Sequence, residues 1–272
     1  MNLANKQLSV ESWIDRQISF GKLTFSTEKL EMELSEYSQV AIKRSLSRLT
    51  EKEKIVSVHK GFYVIVSPEY SSWKILPPSL FIDGLMKYLD RPYYTGLLSA
   101  AAFYGASHQS PQEFFVFTNF PVMRPTKKKG IKINYISKAE IPENLLEDKK
   151  TETGYLKVSS PELTAADVVQ YQKRIGGLNR AAAILEELAE SINIEKITQI
   201  FLSELQITVI QRLGYLLEEV IENQDLAEKI FTLSQNMNLN FFPVPLGSSK
   251  KKRGFSSDNR WKVVANTEVE LD

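Results

Sequence analysis

The 272-residue sequence predicts an α+β protein with a small N-terminal domain and a larger, mostly helical C-terminal domain carrying a small sheet. Three observations predict it. Three apolar stripes of helical spacing fill the first fifty residues and are followed by two short β-type runs around a glycine. Phe114 to Thr118, Ile131 to Ile136 and Tyr155 to Ser159 are short, aromatic and β-branched, as strands are. From Ser160 to about Gln235 the apolar period is again that of helices. A composition of 43% hydrophobic and 25% charged residues is that of an ordinary globular protein and excludes a disordered chain, a collagen and a membrane protein.

Residues 8–20 place Val10, Trp13, Ile14, Ile18 and Phe20 on one helical stripe. Beyond Gly21, Ser26 or Thr27 can cap a second short helix, with Leu30 and Leu34 one turn apart. Ser35-Glu36-Tyr37-Ser38 breaks the pattern. A third helix then runs to about Lys52 with Ile42, Leu46 and Leu49 facing inward. Ile55 to Val58 and Phe62 to Val66 read as two strands around His59-Lys60-Gly61, with glycine at the turn. Helix, helix-turn-helix and β-hairpin is the order of a winged helix-turn-helix, assigned to residues 1–68. Pro68, Pro77 and Pro78 make continuous helix or central strand unfavourable over residues 69–80, which read as a linker. The C-terminal domain is assigned to 81–272. It begins with two helices broken near Arg91-Pro92, and the two strands Phe114 to Thr118 and Ile131 to Ile136 are joined by a basic loop over 119–130. Ser160-Pro161 is a helix start, with serine as cap and proline in the first position. The tail offers two strand-like pieces, 260–265 and 267–271.

Several chemistries are excluded. With no cysteine there are no disulfides, thiolate nucleophiles or cysteine metal sites. His59 and His108 cannot build a multi-histidine metal centre. The first residues lack a basic-then-apolar signal pattern, and no apolar run nears the ~20 residues of a membrane helix, so a cytoplasmic protein is expected. Neither a phosphate-cradling glycine loop nor a catalytic triad nor a paired-carboxylate motif is present, so no enzyme and no cofactor are expected.

The formal charge is only +1, but it is unevenly spread. Residues 119–138 hold six basic side chains and no acid, residues 250–262 six basic and one acid, and residues 183–228 ten acids against Lys196 and Arg212. Phosphate binding depends on a local basic face, because only charges within about a Debye length act together. The third helix supplies such a face. Ser38, Gln39, Lys43, Arg44, Ser45 and Arg48 are expected outside its apolar stripe. Arginine suits a bidentate contact to guanine and glutamine one to adenine. Lys54 and Lys60 are expected on backbone phosphates, which makes double-stranded DNA the expected partner.

Other candidates are weaker. Gly247-Ser248, followed after nine residues by Asp258-Asn259-Arg260, resembles the start of a nucleotidyltransferase signature. That chemistry needs a second carboxylate where Arg260 stands, and a guanidinium there would repel the metal. Arg124, Lys127, Lys128 and Lys129 form a candidate surface for phosphate binding. His108 with Gln109 reads as structural, and Tyr93, Tyr94, Phe103 and Tyr104 as core. Ala183, Ile184, Leu188, Ile192, Ile197, Ile200 and Phe201 are expected inside beneath the acidic stretch.

Taken as a set, Lys60-Gly61-Phe62-Tyr63-Val64, the run Tyr94 to Ala102 with Gly105 to Gln109, the helix start Ser160 to Asp167, Gly176-Gly177-Leu178, the run Gln211 to Leu217 and Arg260-Trp261-Lys262-Val263 resemble the AbiEi family. These are antitoxins of bacterial type IV toxin–antitoxin systems, which act in abortive phage infection, and the resemblance spans about residues 10 to 270. It implies a winged-helix domain that represses its own promoter and a C-terminal domain that counteracts a nucleotidyltransferase-like toxin encoded next door, without a stable complex. The alternative is a stand-alone DNA-binding regulator whose C-terminal domain senses a ligand or a protein. One departure is Glu53, which stands where such recognition helices usually end in glycine. A side chain disfavours the left-handed backbone of that turn, so a different helix-to-hairpin turn is expected.

Overall fold

The computed structural model describes residues 8–106, 113–247 and 254–271. His108 with Gln109, and Lys250 to Arg253 with Ser248, lie outside the described residues.

Helix α1 (Val10–Ser19) starts at Ser9, whose hydroxyl accepts from the Ser12 N–H. Val10, Trp13 and Ile14 are buried, while Phe20 is 60% exposed. The helix ends at Ser19, so Phe20 falls out of the periodicity that would have turned it inward. Strand β1 (Thr24–Ser26) leads into α2 (Thr27–Glu33), capped by Ser26, whose hydroxyl accepts from the Lys29 N–H. Helix α3 (Gln39–Glu51) follows a cap at Ser38 and buries Ile42, Leu46 and Leu49. The strands β2 (Ile55–His59) and β3 (Phe62–Ile65) form a hairpin, and β1 joins its other edge to give an antiparallel sheet of order β1-β3-β2. Three residues are too few for β1 to show the alternation that identifies a strand in sequence. Trp13, Phe25, Leu30, Leu34, Ile42, Leu46, Leu49, Ile55 and Ile65 close one core between the helices and this sheet.

The end of α3 corrects the expectation at Glu53. The Lys54 N–H bonds the Leu49 carbonyl and the Glu53 N–H bonds the Thr50 carbonyl, the double closure of a left-handed helix stop. Glu53 adopts it with φ of 57° despite its side chain.

Residues 67–80 contain two short 3-10 turns, Pro68–Tyr70 and Pro78–Leu80, and bury Ile75 and Leu76. Helix α4 (Ile82–Tyr88) follows. Strand β4 (Tyr93–Thr95) then stands just after the expected helix break, followed by α5 (Leu97–Ala101). Every β4 side chain is buried, so no alternation marked it. Next come β5 (Glu113–Thr118), β6 (Thr126–Lys128) and β7 (Ile131–Ser137). β5 runs parallel to β7, and β6 pairs antiparallel with β7 from within the expected loop 119–130. Strand β8 (Leu146–Thr151) carries Glu147, Asp148, Lys149 and Lys150, a charged edge strand that propensity alone misses. It neighbours β9 (Gly154–Ser159).

Helix α6 (Pro161–Gln170) starts at Ser160 as expected and is buried from Pro161 through Val169. After it come α7 (Leu178–Ala189), α8 (Gln199–Ser203), α9 (Ile207–Tyr215) running on into a π-helical turn at Leu216–Val220, and α10 (Gln224–Asn236). Ile200 is 61% exposed rather than inside, because α8 is only five residues long and turns Phe201 and Leu202 inward. In the tail, β10 (Val244–Pro245) pairs in parallel with β11 (Val263–Val264), and residues 267–271 form no strand.

The chain divides into two compact units. One runs to Tyr93 and takes in Gln112–Ile141 and Asp148–Lys157; the other starts at Tyr94 and takes in Pro142–Glu147 and the chain from Val158 onward. No helix is long and apolar enough to cross a membrane among the described residues.

Candidate nucleic-acid interface

The outward face of α3 is set by its buried stripe. At about 100° per residue, Val40, Arg44 and Ser47 fall within about 50° of the direction opposite Ile42, Leu46 and Leu49. Gln39 lies within about 55° of the stripe itself. Ser38, Gln39, Val40, Lys43, Arg44, Ser47 and Arg48 are exposed, and Ser45 is half-buried. Ser38 spends its hydroxyl on the cap, accepting from the Ala41 N–H at 3.3 Å. The Gln39 amide donates to Glu31 Oε2 at 3.2 Å, and Arg48 donates to Ser45 Oγ at 3.3 Å. Lys43 and Arg44 make no hydrogen bond or ion pair among the described residues. Sequence reading passed over Val40, which lies about 27° from the centre of this face, close to Arg44.

The flanks of α3 are tied down. Lys54 donates to Glu11 Oε1 at 2.6 Å; this contact lowers the Glu11 carboxyl pKa and raises that of the Lys54 ammonium. Arg48 and Lys52 line a cleft of about 130 Å³ with Ser9, Glu11 and Ser45. At the hairpin tip the Lys60 side chain is exposed, but its carbonyl accepts from the Tyr88 hydroxyl at 3.2 Å. The Gly61 carbonyl accepts from the Thr27 N–H at 2.8 Å. A Cβ on Gly61 would lie 2.5 Å from the Tyr88 hydroxyl, so this turn requires glycine.

The basic run Arg124, Lys127, Lys128 and Lys129 belongs to the same compact unit as α3. From Thr126 it is a strand and turn rather than a loop, with Arg124 just before the strand. Lys129 and Gly130 have φ of 46° and 86°, the two positive values that a two-residue hairpin turn demands. Lys128 pairs with Ile131 and Lys127 with Lys132. Lys132 is neutralised by Glu113 at 2.7 Å and Lys129 by Glu53 at 2.7 Å, and Glu53 also takes Lys74 at 2.9 Å. Arg124, Lys127 and Lys128 are exposed and make no ion pair among the described residues.

The second unit carries a different chemistry, a buried polar network at the start of α6. The Tyr94 hydroxyl donates to Asp167 Oδ2 at 2.9 Å, and both residues are buried. Burial, then the neighbouring Asp167 charge, pushes the Tyr94 hydroxyl well above its ordinary range. The hydroxyls of Ser159 and Thr164 lie 2.6 Å apart. The Tyr104 hydroxyl donates to the Ser159 carbonyl at 2.7 Å, and Glu147 accepts from Lys196 at 2.8 Å. Glu162 is 2% exposed and accepts the Asn193 N–H at 2.9 Å. No cluster able to hold a metal ion occurs among the described residues.

Arg260, at the end of the nucleotidyltransferase-like stretch, has a packing role. It bonds Glu218 at 2.9 Å and Glu228 at 2.6 Å and lies 4.4 Å from the Phe231 ring centre. Beside it the fully buried Trp261 donates its indole N–H to Glu218. Gln211 donates to the carbonyls of Trp261 at 2.6 Å and Phe242 at 2.8 Å. These contacts join the tail to α9 and α10.

Comparison with known proteins gives likenesses in fold and in family. A crystal structure of the RV2827C protein from Mycobacterium tuberculosis shares the fold, with a TM-score of 0.65 at 15% sequence identity over 93% of this chain and 89% of that one. No curated protein sequence matches the chain. Residues 94–219, which hold the buried network around α6 and also the basic hairpin, match the family model of the AbiEi antitoxin C-terminal domain. Over those residues the chain is similar to an AbiEi antitoxin.

Proposed function

We propose that the protein is the antitoxin of a type IV toxin–antitoxin pair and represses its own operon. Residues 8–66 act as a winged helix-turn-helix, with α3 in the major groove and the β2–β3 hairpin as the wing. The observation that carries this reading is the outward face of α3. Arg44 and Lys43 stand there unpaired among the described residues, behind a helix-turn that caps α3 at Ser38 and ahead of a hairpin carrying Lys60. Helices of this kind present side chains to base edges, and arginine supplies the commonest specific contact, to guanine. Lys127 and Lys128 add positive charge on the same unit, suited to backbone phosphate. The partner is double-stranded DNA of the protein's own promoter. The domain matched at 94–219 counteracts a nucleotidyltransferase-like toxin by opposing its effect, without a stable complex, in the cytoplasm.

The test is binding to the DNA upstream of the protein's own gene, against a scrambled duplex, from 50 to 200 mM salt. A preference of about 10³ or more is the result the reading requires. Equal, steeply salt-dependent binding to both duplexes would reduce α3 to a generic basic surface.

A further inference from the structure

On the reading that α3 enters the major groove, we infer that Val40 reads a base and that the base is thymine. Val40 is the second residue of α3 and is 59% exposed, on the side opposite the buried stripe and one turn before Arg44. Valine there serves neither the core, which Ile42, Leu46 and Leu49 fill, nor the helix, since β-branching costs side-chain freedom in helices. Its neighbours are turned to other tasks: the Ser38 hydroxyl accepts from the Ala41 N–H, and Gln39, which lies toward the buried stripe, donates one amide N–H to Glu31. The N-terminal turn of a recognition helix is the part that meets base edges. The side chain that this turn points most directly outward therefore has two methyls and no hydrogen-bonding atom. Among the four bases, only thymine shows a matching apolar group in the major groove, its C5-methyl. Val40 thus complements Arg44: the arginine seeks acceptors, and the valine one turn earlier seeks a methyl.

The experiment uses the full chain and the DNA upstream of its own gene, prepared with thymine and again with deoxyuridine, which pairs identically but lacks the methyl. The wild type is expected to bind the deoxyuridine duplex more weakly, by roughly fourfold for each thymine read, the value of one buried methyl-sized group. Val40→Ala is expected to weaken binding to the thymine duplex by a similar factor and to bind both duplexes alike. Val40→Thr, which keeps one methyl, should keep part of the discrimination. Unchanged binding of Val40→Ala to the scrambled duplex shows that the variant is folded, as the exposure of the site leads one to expect. A wild type that prefers its own promoter but ignores the methyl overturns the inference and leaves DNA recognition standing. So does a Val40→Ala variant with the full deoxyuridine penalty, because the methyl is then read elsewhere. Absence of any preference for the promoter overturns both.

Discussion

Lys129, at the turn between β6 and β7, sets its ammonium 2.7 Å from the carboxylate of Glu53, the residue that ends α3 in a left-handed backbone. Lys74 reaches the other oxygen of the same carboxylate at 2.9 Å. One side chain thus links the end of the proposed recognition helix to the basic hairpin, from a position where glycine would relieve the backbone. Glycine would also leave two lysines without their partner.

Glu53→Gln should therefore change how the protein binds DNA. Two freed ammonium groups make scrambled-duplex binding tighter and steepen its salt dependence, by up to about two in the log–log slope. Promoter preference should fall, and an unchanged slope would show that neither lysine reaches phosphate. The contact also has a pH signature. The hydrogen bonds from Lys129 and then Lys74 hold the Glu53 carboxyl below its usual 4.5. A depressed carboxyl stabilises the folded state above its unfolded pKa and loses that effect as the pH falls through the folded one. The difference in thermal stability between wild type and Glu53→Gln should thus be full at pH 6 and shrink once the pH falls below 4.5 and through the lowered pKa of the folded state.

Arg44→Ala should weaken promoter binding by roughly 10- to 100-fold while barely changing scrambled-duplex binding. Titration of both duplexes at one salt concentration separates these. Equal losses would make Arg44 a phosphate contact.

The triple variant Lys127→Ala, Lys128→Ala, Lys129→Ala separates the two roles open to the basic hairpin. If it holds phosphate, both duplexes bind more weakly and the salt slope falls by up to about two. Co-expression with the neighbouring toxin reads the other role. Full rescue of growth by the variant would remove the hairpin from toxin neutralisation.

Gly214→Ala should destabilise the protein, against the usual gain from replacing a helical glycine. A Cβ there would lie 2.1 Å from the Trp261 ring, which is fully buried and edge-on to Phe231. Overpacking of this kind costs about 1–3 kcal/mol, seen as a lower urea midpoint. An unchanged midpoint would mean that the tail and α9 part easily.

Tyr94→Phe removes one donor from the buried Asp167 and should cost about 1–3 kcal/mol. Because the Tyr94 hydroxyl is raised well above its ordinary value of 10.0 in the folded chain, it ionises first in the unfolded one. Wild-type stability should therefore decline as the pH rises beyond about 10, and less steeply in Tyr94→Phe. Parallel decline in both proteins would assign the alkaline loss to other groups.

The sequence by itself determined the local elements that carry their own signal. The stripe Ile42, Leu46 and Leu49 defined α3, serine caps started α2 and α6, and glycine at 61 turned the β2–β3 hairpin. Each is settled within one or two turns of chain. The family resemblance too rested on short runs of residues, and the match at 94–219 agrees with it. The tertiary structure alone decided β1, β4, β6 and β8. Their residues are too few, too buried or too charged to alternate, and they are strands because a partner strand supplies their hydrogen bonds. It also decided which basic side chains remain available. Lys54, Lys129 and Lys132 are held by Glu11, Glu53 and Glu113, whereas Lys43, Arg44, Lys127 and Lys128 make no ion pair among the described residues. The spacing of charges along a chain counts them; only folding, by bringing carboxylates from 19 to 76 residues away within 3 Å, determines which are neutralised.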